Sequence, residues 1–375
     1  MPRCARAPRR PLVGLLAALS GLASQAALAE EWSLRLRAQA AEEYDSNAHR
    51  VPGGQGDFLT RLLLQASAGY AAPELAFQAD YACGAKLFYR ETSEHLVANQ
   101  LELSLLHRPL PARQVGLRAG LRDATQATHG RDYLLGHLAM YLRVRPLDAL
   151  GVEATAGGRG FLFKPDDAAA RAEGAPRFSH AGPAAGLSLQ AALGAGFGLS
   201  LAYAFDVRFF RDPARVPGEE GPVAGPRARQ DERHALSARA RWRGAFWGER
   251  RLIAQLGYGF TANPSNSLGS TARWHRLEAV LSAELPADLS LHLMGSVQLT
   301  DFPGGLYVDQ AAYEPDADEN ENAFVARLNW RFWGPLLLVA QVAVYRNTFA
   351  MGSGEQPDFS RETYQLGLAW DWSPG

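Results

Sequence analysis

The chain has 375 residues, 47% of them hydrophobic and 21% charged, with a formal net charge of −1 and two cysteines. Dispersed charge of this kind excludes bulk nucleic-acid binding, which needs a concentrated cationic surface. Two cysteines exclude a disulfide scaffold, and no cofactor-binding motif occurs, so the expectation is that the protein works without a cofactor.

At the amino end Arg3, Arg6, Arg9 and Arg10 precede an apolar stretch from Pro11 to Ala23 and the small-residue site Ala27-Leu28-Ala29. This is the pattern of a secretory signal peptide covering residues 1–29. The apolar stretch falls short of the roughly 20 residues that a membrane-crossing helix requires. Cleavage after Ala29 removes four positive charges, taking the formal net charge from −1 to −5. It also leaves Cys83 without an intrachain partner, on one alternation face with Tyr81, Ala85 and Leu87, where a small apolar role suits it.

From Trp32 onward apolar and polar residues alternate in blocks of about ten to fifteen, the length of a tilted membrane-spanning strand. The last block, Tyr364 to Trp372, shows the rule. Tyr364, Leu366, Leu368, Trp370 and Trp372 fall on one face, and Gln365, Gly367, Ala369 and Asp371 on the other. Residues 30–375 therefore read as a single all-β domain, an antiparallel transmembrane β-barrel of about 16 strands, with 14 to 18 as the range.

Turn chemistry divides the blocks. Short connections are expected at Ala71 to Pro73, Pro109 to Gln114, Pro146 to Leu150, Ala192 to Gly198, Gly244 to Arg250, Pro286 to Asp288 and Trp333 to Pro335. Long ones are expected at Asp45 to Asp57, Arg90 to His95, Asp123 to Arg131, Lys164 to Ser179, Arg211 to Gln230, Asn263 to Ala272, Asp301 to Asn322 and Thr348 to Ser360. Short turns face the periplasm and long loops the cell exterior in outer-membrane barrels. The stretch Ser179 to Phe205 lacks Asp, Glu, Lys and Arg, but its repeated glycines and Pro183 make it a hairpin rather than a membrane helix. Aromatic residues gather near the short turns at Trp32, Tyr70, Trp242, Trp247, Trp330, Phe332, Trp333, Trp370 and Trp372, as in an interfacial girdle.

The polar faces carry the candidate functional residues. Arg118, Arg122, Arg159, Arg208, Arg239, Arg241, Arg327 and Arg331, with Glu102, Asp206 and Glu278, are expected to line a wet lumen. Guanidinium groups fork carboxylates and phosphates and stack on rings, which suits anionic or hydroxylated solutes. Catalysis is not expected. No histidine has a serine two residues on, and His234 and Ser237, three apart, fall on opposite strand faces. The acidic run Asp316 to Asn322 has Glu321 where a calcium loop needs glycine, so it reads as a solvated surface loop and no metal site is assigned.

The segments Ala41-Glu42-Glu43-Tyr44-Asp45-Ser46-Asn47 and Asp57-Phe58-Leu59-Thr60-Arg61, with the Asp80-Tyr81 and Phe88-Tyr89 pairs that follow, resemble bacterial outer-membrane barrels associated with exopolysaccharide gene clusters. The same start also resembles the barrel of surface lipoprotein assembly modifiers, which carry a helical-repeat domain upstream. The first resemblance implies a conduit for export of a secreted polysaccharide across the outer membrane of a Gram-negative bacterium. It also implies pairing with a periplasmic polysaccharide-export protein. Surrounding partners would be outer-membrane lipids, lipopolysaccharide and the barrel assembly machinery, with no nucleic acid. A general or anion-preferring porin is the second reading. A structural or adhesive barrel plugged by the Arg211 to Gln230 and Asp301 to Asn322 loops is the third.

Overall fold

The computed structural model describes residues 32–373 except 50–52, 111, 129–131, 165–178, 220, 247, 302, 304–321 and 348–358. The signal segment, Trp247, most of the acidic run and much of three expected loops lie outside the described residues. The strands are β1 (Trp32–Asp45), β2 (Asp57–Ala71), β3 (Leu75–Phe88), β4 (Leu96–Leu110), β5 (Arg113–Gln126), β6 (Tyr133–Leu147), β7 (Leu150–Phe163) and β8 (His180–Gly194). They continue as β9 (Phe197–Gly218), β10 (Gly221–Phe246), β11 (Arg250–Asn263), β12 (Ala272–Leu285), β13 (Leu289–Asp301), β14 (Ala323–Trp333), β15 (Leu336–Asn347) and β16 (Phe359–Trp372).

Each strand pairs with its sequence neighbours, and β1 pairs antiparallel with β16 from Leu36↔Trp372 to Asp45↔Thr363, closing a barrel of 16 strands. Closure removes the two free sheet edges, whose unpaired N–H and C=O groups could not be tolerated in hydrocarbon. A 14-residue strand at about 3.3 Å per residue is long enough to cross a bilayer at the usual barrel tilt.

Alternation decides the two faces. Leu117, Leu121, Leu138, Met140, Leu187, Leu201, Leu236, Leu277, Leu366 and Leu368 are all exposed, and neighbouring strands put such residues in register, as in Leu105↔Leu117 and Leu189↔Leu201. An unbroken belt of this kind in water would forgo roughly 25 cal/mol for every Å² of apolar surface, so it is the lipid-facing wall. No helix among the described residues is long and apolar enough to cross a membrane.

Tight turns close one end. Between β8 and β9 the chain reverses at Gly194, Ala195 and Gly196, with φ of 84°, 48° and 79°. The charge-free stretch is thus two strands. The Arg211 to Gln230 segment corrects a sequence expectation. It is no loop, because β9 and β10 run on for 22 and 26 residues and pair up to Gly221↔Gly218. Four prolines hid this hairpin, but it has a two-stranded ladder with register shifts near Ala228, where prolines are tolerated. The connection after β11 supports its base, with Leu268 N donating to Arg215 O and Asn266 Nδ2 to Ala228 O.

Candidate functional site

The inward face is the candidate site, and cross-strand register builds it. All eleven sequence-selected residues lie on this face, opposite the exposed leucines. They do not form one cluster; they distribute into local ion pairs, ring contacts and hydrogen bonds around the wall.

On β5 to β7, Glu153 accepts from Arg118 Nη1 at 2.7 Å and Nη2 at 3.2 Å, and from Arg143 Nη2 at 2.6 Å and Nε at 3.0 Å. One carboxylate thus holds two guanidinium groups. Arg118 also lies 4.1 Å from the Tyr141 ring centroid, a cation–π distance. Gly116 makes room for that ring: a Cβ there would collide with the Tyr141 phenol and with Leu105 O.

Other pairs reach across an intervening strand. Arg239 on β10 approaches Glu278 on β12 at 3.9 Å, with Gly257 of β11 in register between them. Glu102 on β4 meets His137 on β6 at 3.5 Å across Gly120 of β5. A side chain at Gly120 would strike both partners. Arg159 stands 4.0 Å from Asp206, which also accepts from Arg208 Nε at 2.9 Å. Arg208 and Asp206 are buried at 4% and 8% exposure, so they brace the wall instead of meeting a passing solute. Arg122 faces the Tyr133 ring at 5.8 Å, Arg331 donates to Gly334 O at 3.0 Å, and Arg241 lines a concavity with Arg143, Arg145, Ser188, Gln190 and Gln255.

Arg327 takes an unusual path. It donates from Nε to Asn329 Oδ1 at 2.9 Å and from Nη2 to Gln39 Oε1 at 3.0 Å, linking β14 to β1 across β15 and β16. The intervening strands present Val339, Gly367 and Ala369 inward there, and Val339 and Ala369 are at most 1% exposed.

Several inward charges escaped the sequence reading. Arg35 pairs with Asp371 at 2.7 Å, Arg61 with Glu43 at 2.8 Å, Arg276 with Glu278 at 2.8 Å, and Arg361 with Asp45 at 2.6 Å. The period-two rule that selected Arg239 and Arg241 also places Arg35, Arg37 and Arg61 inward, so their signal was present. An outer girdle near the long connections was also missed. Its members include Tyr44 against Phe58 at 5.0 Å, and Tyr89 OH donating to Glu42 at 2.6 Å. His234 and Ser237 lie on opposite faces of β10, by its register with β9. Among the described residues no group of three His, Cys, Asp or Glu could hold a metal ion.

No protein-family model matches the chain, and no curated protein matches it. Solved structures do resemble it in fold. A TodX monoaromatic hydrocarbon channel mutant has a TM-score of 0.41 at 10% identity, covering 94% of this chain and 92% of its own. A bacterial polysaccharide outer-membrane secretin has a TM-score of 0.45 at 8% identity, with 90% and 98% covered. A mutant of the Rh. blastica porin has a TM-score of 0.40 at 9% identity, with 91% and 100% covered. At these values the likeness concerns barrel architecture and says nothing about cargo.

Proposed function

We propose that the protein is a passive outer-membrane conduit whose arginine-rich lumen carries an anionic, hydroxylated cargo, most specifically a secreted polysaccharide on its way out of the cell. The observation that supports this reading is the shared carboxylate of Glu153. It leaves its two guanidinium partners with a surplus of positive charge, and Arg118 lies over the Tyr141 ring. Guanidinium planes and aromatic faces are the groups that meet sugar carboxylates, phosphates and ring faces with weak, exchangeable contacts. Passage needs such weakness. A chain moving along Arg118, Arg143, Arg239 and Arg241 would break one contact as it makes the next, and no chemical step is involved.

Deletion of the gene tests the assignment. Loss of surface polysaccharide with unchanged uptake of small solutes is the expected result. Normal polysaccharide together with large, steady, anion-preferring openings in planar bilayers would replace export with the second reading, a diffusion porin, which the same guanidinium surplus also suits.

A further inference from the structure

The lipid-facing wall carries two copies of one arrangement that the lumen does not explain. On β10, His234 has its Nδ1 2.8 Å from Tyr203 OH and its ring 4.9 Å from that of Phe205. On β12, His275 has its Nδ1 2.8 Å from Tyr258 OH and its ring 4.9 Å from that of Phe260. Each imidazole is held by a Tyr and a Phe two residues apart on the preceding strand. With the phenol donating to Nδ1, the neutral imidazole carries its proton on Nε2, so each ring keeps one N–H donor for another acceptor.

Register brings a cation level with the first of them. His234 pairs with Ala262, and Ala262 with Arg273, so the imidazole and the guanidinium flank one small residue on the outer face. Arg273 shares that face with His275, two residues on. Arg273 and its register neighbour Asp301 form no ion pair within 4 Å among the described residues. Arg273 and His275 sit near the long-connection end of β12, and His234, midway along the extended β10, is level with Arg273 through Ala262, at the depth where the outer leaflet has its headgroups. Directly below them, toward the short turns, lie the exposed Leu236, Leu256, Leu277 and Val297.

We propose that His234, Arg273 and His275 form an outer-wall binding site for the phosphorylated headgroup of an outer-leaflet glycolipid, with its acyl chains on the leucine-rich surface beneath. Charge and position argue for this occupant: phosphate oxygens accept from imidazole N–H and guanidinium donors, and the attached chains require an apolar wall below. Glu232 and Asp301 border the cluster and face the same headgroup layer, where divalent cations between neighbouring phosphates would neutralise them.

The test uses the full mature barrel in detergent micelles, with bisphosphorylated lipid A and chemically dephosphorylated lipid A as probes and native mass spectrometry as readout. The wild type should retain the phosphorylated form preferentially. The combined variant H234F, H275F and R273A should lose about tenfold or more of that retention. A variant of Arg250, at the opposite end of the barrel, should retain it. Heat-dependent electrophoretic mobility checks that each variant is folded. Equal retention by the wild type and the triple variant, or no discrimination between the two lipids, would overturn the proposal. Neither outcome bears on cargo, which is read by the deletion experiment.

Discussion

Arg361 and Asp45, 316 residues apart in sequence, are joined by a buried fork: Nη2 donates to Oδ2 at 2.6 Å, and Nε lies 2.9 Å from both carboxylate oxygens. This pair fastens β16 to β1 at the seam where the barrel closes. Tyr345 lies 5.2 Å from the guanidinium carbon, and Asn47 N donates to Asp45 Oδ1 at 3.1 Å. The first and last strands thus meet through a charge pair with little access to water.

Asp45→Ala leaves the Arg361 guanidinium buried without its counterion, at a cost of roughly 3–5 kcal/mol. The expected result is earlier unfolding in urea, followed by tryptophan fluorescence. Asp45→Leu combined with Arg361→Leu should recover a large part of the loss, because neither charge then remains uncompensated.

Glu153→Gln releases Arg118 and Arg143 from their shared carboxylate. The lumen gains net positive charge at that level, so its preference for chloride over potassium rises. A larger reversal potential across a potassium chloride gradient in planar bilayers is the expected sign. An unchanged value would mean that these arginines do not face the permeation path.

Gly116→Ala places a methyl group where the Tyr141 phenol lies. The ring must move away from Arg118, and crowding of this kind typically costs about 1–3 kcal/mol. Reduced urea resistance with normal membrane insertion is expected. Adding Tyr141→Ala should restore only the part of the loss due to the ring, since the Leu105 carbonyl oxygen still meets the added methyl group.

Replacing residues 216–225 with an Asn-Gly turn shortens the β9–β10 hairpin. Its outer part pairs β9 with β10 and touches the connection after β11 near its base. The shortened protein should keep its heat-dependent mobility and its conductance. A marked rise in conductance would show instead that the hairpin obstructs the bore.

Much of the architecture was legible because alternation is a local property. Tyr364, Leu366 and Leu368 mark the outer face of β16 without reference to any other strand, and the Gly194 to Gly196 turn divides the charge-free segment by its own backbone preferences. The β9–β10 hairpin was not legible. Pro213, Pro217, Pro222 and Pro226 signal irregular chain, and only the pairing partner across the turn turns that segment into strand. The alternation that marks Arg239, Arg241 and Arg243 as inward applies equally on β1, where Arg35 and Arg37 alternate with Leu34 and Leu36 and were overlooked.

The sequence by itself determined a closed antiparallel barrel with a lipid face and a polar face, because each residue's side follows from its parity within its own strand. Only the tertiary structure decided which charges meet. Arg239 finds Glu278 over Gly257, Arg327 reaches Gln39 over two strands, and His234 stands beside Arg273 across Ala262. Those meetings depend on the stagger between strands, which is fixed by closure around the whole cylinder and has no signature within any single strand.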